Sequence, residues 1–306
     1  YLHSESGGAF LQKNDYTYNI RSWLTQMNDP ATFPENDKFG MKLEYNSVVS
    51  PGSARYNGNI SGFTWGTPNL NSARYVYGYD NNNRLTSANY TASGNSNAWD
   101  ETFGYDANGN LTSTTRYDGG GNTIDRLTFG YQGNRITSLS DMDGDKPLVT
   151  DYPGSTTPQA FQYDANGNMN GEPHKQFTVG YNLLNLPYVV NWSGLNRKIS
   201  YYYDINGRKV RKTDEDNGTV TKTDYCGPFV YETTGGVRTM KYLLTPYGRA
   251  VKSGSTWIYE YNLKDHLGNV RAVIRKGSNG LAELIQERSY YTFGMEMSQL
   301  NGGTGT

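Results

Sequence analysis

Along much of the chain, aromatic residues recur at every second position. Phe103-Gly104-Tyr105, Phe129-Gly130-Tyr131, Phe161-Gln162-Tyr163 and Tyr201-Tyr202-Tyr203 all read this way. A period of two predicts strands with one face ringed by aromatic side chains. These runs end at polar stretches, most of them carrying glycine. The clearest is Tyr105-Asp106-Ala107-Asn108-Gly109-Asn110-Leu111, which recurs at Tyr163-Asp164-Ala165-Asn166-Gly167-Asn168-Met169 and at Tyr203-Asp204-Ile205-Asn206-Gly207-Arg208-Lys209. Asn-Gly is a strong hairpin signal because both residues can take a positive φ. Each unit therefore reads strand, tight turn, strand. Looser copies begin at Tyr79 (with Asp80), Tyr131 and Tyr181, and Tyr225 continues the series. Anchor tyrosines fall at 79, 105, 131, 163, 181, 203 and 225, the spacing of a repeat array.

The flanks are less regular. Residues 1–50 show no clear repeat, although Tyr16 to Leu24 and Phe39 to Val49 alternate enough for strands, and Pro51-Gly52 breaks the second. Tyr56-Asn57-Gly58-Asn59-Ile60 is a further hairpin-type turn leading to Phe63 and Trp65. Leu281 to Arg288 fits a short helix or a strand equally well. No segment holds a 3.6-residue apolar period over a dozen residues. The expected fold is all-β, a ribbon of antiparallel hairpins of about ten to fifteen strands. Its divisions would be a β segment with degenerate repeats at 1–74, the hairpin array at 75–262, a distinct segment at 263–297 and a flexible tail at 298–306.

Composition sharpens this. Of 306 residues 35% are hydrophobic, against a usual ~45–50%, while 14% are aromatic. Rings rather than aliphatic side chains are expected to supply the buried area, roughly 150–250 Å² each. A formal net charge of −1 gives no reason to expect nucleic-acid or anionic-membrane binding. No apolar run approaches the ~20 residues of a spanning helix. Cys226 is alone, and His3, His174 and His266 lie far apart, so neither a disulfide nor a zinc site is predicted. No cofactor is implied. Tyr1 is followed by no charged-then-apolar leader, and the ends read either as cut from something longer or as trimmed.

Candidate chemistry stays thin. Asp106, Asp164 and Asp204 stand where a carboxylate caps a turn by accepting backbone N–H groups. Asp141, Asp143 and Asp145 alternate faintly like a calcium loop. Their Gly144 is misplaced and no Glu follows in register, so they read as a solvated loop. Asp214 to Gly218 reads as a hairpin turn. Cys226 is expected to pack in the wall. His266 has no neighbouring nucleophile or carboxylate in the arrangement a general base needs. Exposed Tyr and Trp could stack on sugar rings, which keeps a carbohydrate-binding reading open.

Several YD units, then Asp265-His266-Leu267-Gly268-Asn269-Val270-Arg271, then Tyr290-Tyr291-Thr292-Phe293-Gly294, occur in this order. Together they resemble the RHS or YD-repeat family. The stretches 18–29 and 56–65 are similar to its Bacteroidetes-type members. The resemblance implies a β-hairpin ribbon spiralling into a hollow shell with tyrosines along its wall, as in polymorphic toxins, insecticidal toxin components and animal teneurins. It implies a core motif at Asp265, His266, Leu267, Gly268, Arg271, Tyr291, Phe293 and Gly294. Family members carry a later DPxG-type autoprotease segment; here Asp29-Pro30 is followed by Ala31-Thr32, so that segment is absent or lies elsewhere. The resulting expectation is a non-enzymatic structural shell in a secreted or surface-displayed bacterial protein. Its ends would pack on the rest of a larger polypeptide or on a partner such as an enclosed toxin. The alternative is an adhesin or glycan-binding module.

Overall fold

The computed structural model describes residues 11–47, 53–70, 72–91, 97–143, 152–192 and 194–297. Among the described residues the chain is antiparallel β, with one 3-10 turn at Pro34–Asn36. The twenty-four described strands form an 11-stranded sheet followed by a 13-stranded sheet, and in both the strands lie in sequence order. The expected ten to fifteen strands is therefore too few. Strands of two to ten residues are joined by turns short enough to fit more of them. Ala282–Glu287 is a strand, which settles the ambiguous stretch near residue 281. Gly40–Glu44 realises the earlier strand expected from Phe39. Pro51, Gly52, His3, Asp145 and the tail at 298–306 lie outside the described residues.

By contact the chain divides into two units: Tyr1–Thr128, Asp145–Tyr152 and Glu260–Thr306 form unit one, and Phe129–Gly144 with Pro153–Tyr259 form unit two. Unit one has a continuous core. Phe39, Phe63, Trp65 and Tyr75 are buried there with Met27, Met41, Leu43, Ile124, Leu263, Ile274 and Met297. Aliphatic and thioether side chains thus share this core with the rings, which corrects the purely aromatic expectation. The core joins distant parts of the chain. The Trp65 indole N–H donates to Ser289 Oγ at 3.1 Å, and the Tyr291 hydroxyl donates to the Tyr117 carbonyl at 2.7 Å.

Unit two is built differently. Among its described residues, Leu139, Val230 and Ala250 are the only buried apolar ones. Its strands lie in a ladder whose rings are covered by cations: Lys209 Nζ stands 5.2 Å from the Tyr201 ring and 5.3 Å from Tyr225. The Arg238 guanidinium stands 4.0 Å over Tyr231. A basic stem shielding a ring needs no second layer.

Candidate functional site

The repeated turns share one hydrogen-bond plan. In Asp106–Asn110, the Asp106 N–H donates to the Asn110 carbonyl at 3.0 Å and the Gly109 N–H to the Asp106 carbonyl at 3.2 Å. Asp106 Oδ1 accepts the Asn110 N–H at 2.8 Å. The strand register shifts between Gly104 and Tyr105 as it enters the loop, the pattern of a bulged hairpin. Of the Asn-Gly pair only glycine takes a positive φ: 89° at Gly109, 85° at Gly167 and 76° at Gly207. The expectation that both residues do so holds instead at Asn217-Gly218, φ 48° and 84°. That turn joins two directly paired strands.

The same two backbone bonds close Asp80–Arg84, Asp164–Asn168, Asn182–Leu186 and Asp204–Arg208. Asn83 and Asn185 take the glycine's place with φ of 63° and 56°, as asparagine tolerates. Hydrogen bonds hold these half-buried carboxyls below their usual range. For Asp80 the first cause is the Arg84 backbone N–H. For Asp106 and Asp164 it is the side chain of Asn110 or Asn168.

The plan also appears where the sequence showed no repeat. Asn19–Trp23 closes in this way and splits the single strand expected from Tyr16 to Leu24 into Tyr16–Tyr18 and Leu24–Met27; Asp118–Asn122, Gly277–Leu281 and Tyr291–Met295 close likewise. So does Asp265–Asn269. Hence DHLGN and YYTFG are two further copies of the turn. The signal that would have found them is the spacing from the first loop residue to a Gly, Asn or Ser three positions on. In the YYTFG copy the anchor is Tyr290, missed from the sequence, and Tyr291 takes the place of Asp.

Tyrosines then join one hairpin to the one before. The Tyr105 hydroxyl donates to the Leu85 carbonyl at 2.8 Å, and Leu85 is the first residue after the preceding loop. Tyr181 reaches Met169 at 2.8 Å, Tyr203 reaches Pro187 at 2.7 Å and Tyr290 reaches Val270 at 2.9 Å, by the same rule. Tyr45 reaches Leu24, Tyr79 reaches Ile60 and Tyr163 reaches Ile136. Guanidinium groups cover four of these rings: Arg55 over Tyr79, Arg84 over Tyr105, Arg135 over Tyr163 and Arg271 over Tyr290, at 4.8 to 5.0 Å. Burial raises the phenols of Tyr105, Tyr163 and Tyr203, and that of Tyr79 to about 12. They stay protonated, as a donor must. Tyr105→Phe removes one such bond and should cost about 0.5–1.5 kcal/mol in urea unfolding. A variant as stable as the parent would show that the hydroxyl bond contributes nothing. Tyr131 and Tyr225 instead precede two-residue turns.

Asp265 and Arg271 form a buried ion pair, Nε to Oδ2 at 2.7 Å, with side-chain exposures of 0% and 5%. The Arg271 guanidinium stands 5.2 Å from the Phe63 ring, 5.1 Å from Trp65 and 5.0 Å from Tyr290. Burial works to raise the Asp265 carboxyl, but the Arg271 charge and hydrogen bonds from Arg271 and Asn269 hold it below the usual range. His266 meets the Phe63 ring edge-on at 5.0 Å, and burial lowers its pKa. Leu267 is exposed at the turn, and Gly268 and Gly294 have φ of 87° and 89°. Phe293 meets Phe103 edge-on at 4.9 Å.

Two expectations on chemistry are corrected. Asp141 is not solvated: it is buried, and its N–H donates to the Ser155 carbonyl at 2.8 Å. A Cβ on Gly154 would lie 2.2 Å from the Asp141 Cβ, so glycine is needed there. Cys226 is exposed rather than packed. In unit two an open trough of about 500 Å³ is lined by Thr219, Thr221 and Thr223 with Lys212, Asp214, Asp216, Asn217 and Glu232. It offers no ring on which a sugar could stack. No described helix is long and apolar enough to cross a membrane.

Comparisons agree with this geometry. The family model for the teneurin YD-shell matches residues 30–228. No curated protein matches the chain. Among solved structures, the Tc holotoxin pore of Photorhabdus luminescens superposes with TM-score 0.54 at 15% identity, covering 95% of this chain and 16% of that one. A TcdB2-TccC3 structure without its hypervariable C-terminal region gives 0.57 at 15%, covering 95% and 16%, and a TcdB2-TccC3-Cdc42 structure gives 0.56 at 15%, covering 95% and 16%. The chain thus spans about one-sixth of the length of the chains it resembles, and at such identity the likeness speaks for the fold. With the family model covering most of its length and its turns and tyrosines repeating down two antiparallel sheets, the chain belongs to the teneurin YD-shell family.

Proposed function

We propose that this chain is a wall segment of a shell in a secreted or surface-displayed bacterial protein, and that the shell encloses or presents another polypeptide. The observation that carries this reading is the strand order. Within each sheet every strand pairs with its neighbours in sequence, and phenol-to-carbonyl bonds from seven anchor tyrosines tie their hairpins to the ones before. Such a ribbon leaves few free edges and gains stability from neighbour on neighbour. The names of the solved relatives join TccC3 to TcdB2 and, in one case, to Cdc42, which supports a polypeptide partner. In this reading Asp106, Asp164, Asp204 and Asp265 cap turns and the anchor tyrosines link hairpins, with no catalytic part. The partner is the remainder of a larger polypeptide or a second protein.

Protease protection tests this. Native protein purified from its source is digested before and after mild denaturation. A polypeptide segment outside 1–306, or a co-purifying chain, should resist cleavage while the wall is intact and be cut once it unfolds. Digestion at the same rate in both states would refute enclosure. Saturable glycan binding lost on replacing Trp257 or Tyr259, both exposed, would favour the adhesin instead.

A further inference from the structure

Glu101 begins the strand Glu101–Tyr105 and is 1% exposed. Its Oε2 accepts the backbone N–H of Thr292 at 2.6 Å, from 191 residues further along the chain. The guanidinium in reach, Arg116, gives its Nε–H to Asp125 at 2.6 Å. Thr292 belongs to a segment seated on unit one mainly by apolar contacts. Tyr291 lies 5.8 Å from the Trp99 ring, Phe293 meets Phe103 edge-on, and Met297 is fully buried. A carboxylate buried under an apolar lid is costly when ionised.

We propose that Glu101 is a pH-sensitive clasp: protonated, it lets Tyr290–Met297 stay docked on unit one, and its ionisation loosens that segment. The groups facing it are Tyr75 and Tyr77 from the strand Ala73–Tyr79, Arg116 from Leu111–Tyr117, Asp125 from Thr123–Gln132, and Tyr291 and Thr292 from the docked segment. Asp100 precedes it in sequence. Burial pushes the three phenols above their usual value, so they remain neutral. Asp100 is also raised by burial, but its carboxylate accepts the Tyr90 N–H at 2.7 Å and does not touch the segment.

The direction follows from burial, which raises Glu101, while Thr292 and the Arg116 charge lower it by less. Undocking lets water reach the carboxyl and moves it back towards its ordinary value. A group raised on docking stabilises the docked state in acid. That advantage is lost as pH rises from the ordinary carboxylate range through the docked value. Each unit of difference shifts the docking equilibrium by about tenfold.

Hydrogen exchange read at the amides of Thr292, Gly294, Met295 and Met297 tests this. After correction for the intrinsic pH dependence of exchange, protection in the parent chain should fall as pH rises above the ordinary carboxylate range, by about tenfold per unit of the shift. Glu101→Gln keeps an acceptor for Thr292 and should flatten the profile. Asp100→Asn should leave it unchanged. A flat parent profile, a profile that survives Glu101→Gln, or one abolished by Asp100→Asn overturns the proposal. If Glu101→Gln does not fold, carboxyl NMR of the parent decides. A Glu101 midpoint above the ordinary range that tracks the loss of Thr292 protection supports the clasp, and an ordinary or lower midpoint refutes it.

Discussion

Arg271→Leu is expected to destabilise unit one by about 3–5 kcal/mol, the cost of leaving a buried ion without its partner. The number follows from asymmetry rather than from the worth of the pair. Two charges taken from water together are nearly balanced by their attraction, but one left behind is not. Asp265 would keep the turn bonds from the Leu267 and Asn269 N–H groups, both at 3.0 Å, yet face Phe63, Trp65 and Tyr290 with no cation between. Asp265→Asn keeps an oxygen for those N–H groups and should cost less at the turn, while stranding the guanidinium. The double variant Asp265→Asn with Arg271→Leu should recover part of the loss, giving a coupling of about 0.5–3 kcal/mol. Urea unfolding of the four proteins measures it. An Arg271→Leu protein within about 1 kcal/mol of the parent would show that solvent reaches the pair.

The second large effect is Trp65→Ala, about 3–5 kcal/mol from lost burial and the cavity left behind. Trp65 is 1% exposed. Its ring stacks on Phe63 at 5.0 Å and lies 5.6 Å from Tyr75, and its N–H reaches Ser289 across 224 residues of sequence. Trp65→Phe separates the two contributions. It keeps much of the apolar area and loses the indole bond, so it should cost less than Trp65→Ala, with about 1 kcal/mol due to the hydrogen bond. Because the ring bridges early strands and the segment after Glu287, Trp65→Ala should also raise exchange at the Met297 amide, which is bonded to the Ser289 carbonyl at 2.9 Å. Unfolding midpoints and exchange rates check the two halves. A loss near 1 kcal/mol for Trp65→Ala would mean that the site collapses around the missing ring. Against either substitution a single anchor phenol is worth little, so the row of tyrosines holds the wall by repetition.

Much of the wall was legible residue by residue. Asp106 and its copies read as caps because an Asp just before a turn can accept nearby backbone N–H groups. That chemistry is local, and local chemistry shows in a string of letters. The miss at Asn19–Trp23 has the same origin. Asn19 for Asp and Ser22 for Gly, φ 59°, preserve the bonds while changing the Asp and Asn-Gly that marked the turn, leaving only Tyr18 in place. Tyr290 was passed over for Tyr291 because two adjacent tyrosines look alike in sequence, and only one has its hydroxyl on Val270.

What the sequence determined by itself was the two-residue period, the turns and therefore an antiparallel ribbon, since each depends on neighbours no more than a hairpin apart. Tertiary structure alone decided which residues became core. Trp65, Glu101 and Arg271 meet Ser289, Thr292 and Phe63 only after the bends of many intervening strands have accumulated, and no short stretch records that sum. Burial, and with it the cost of each charge, is fixed at those long-range meetings.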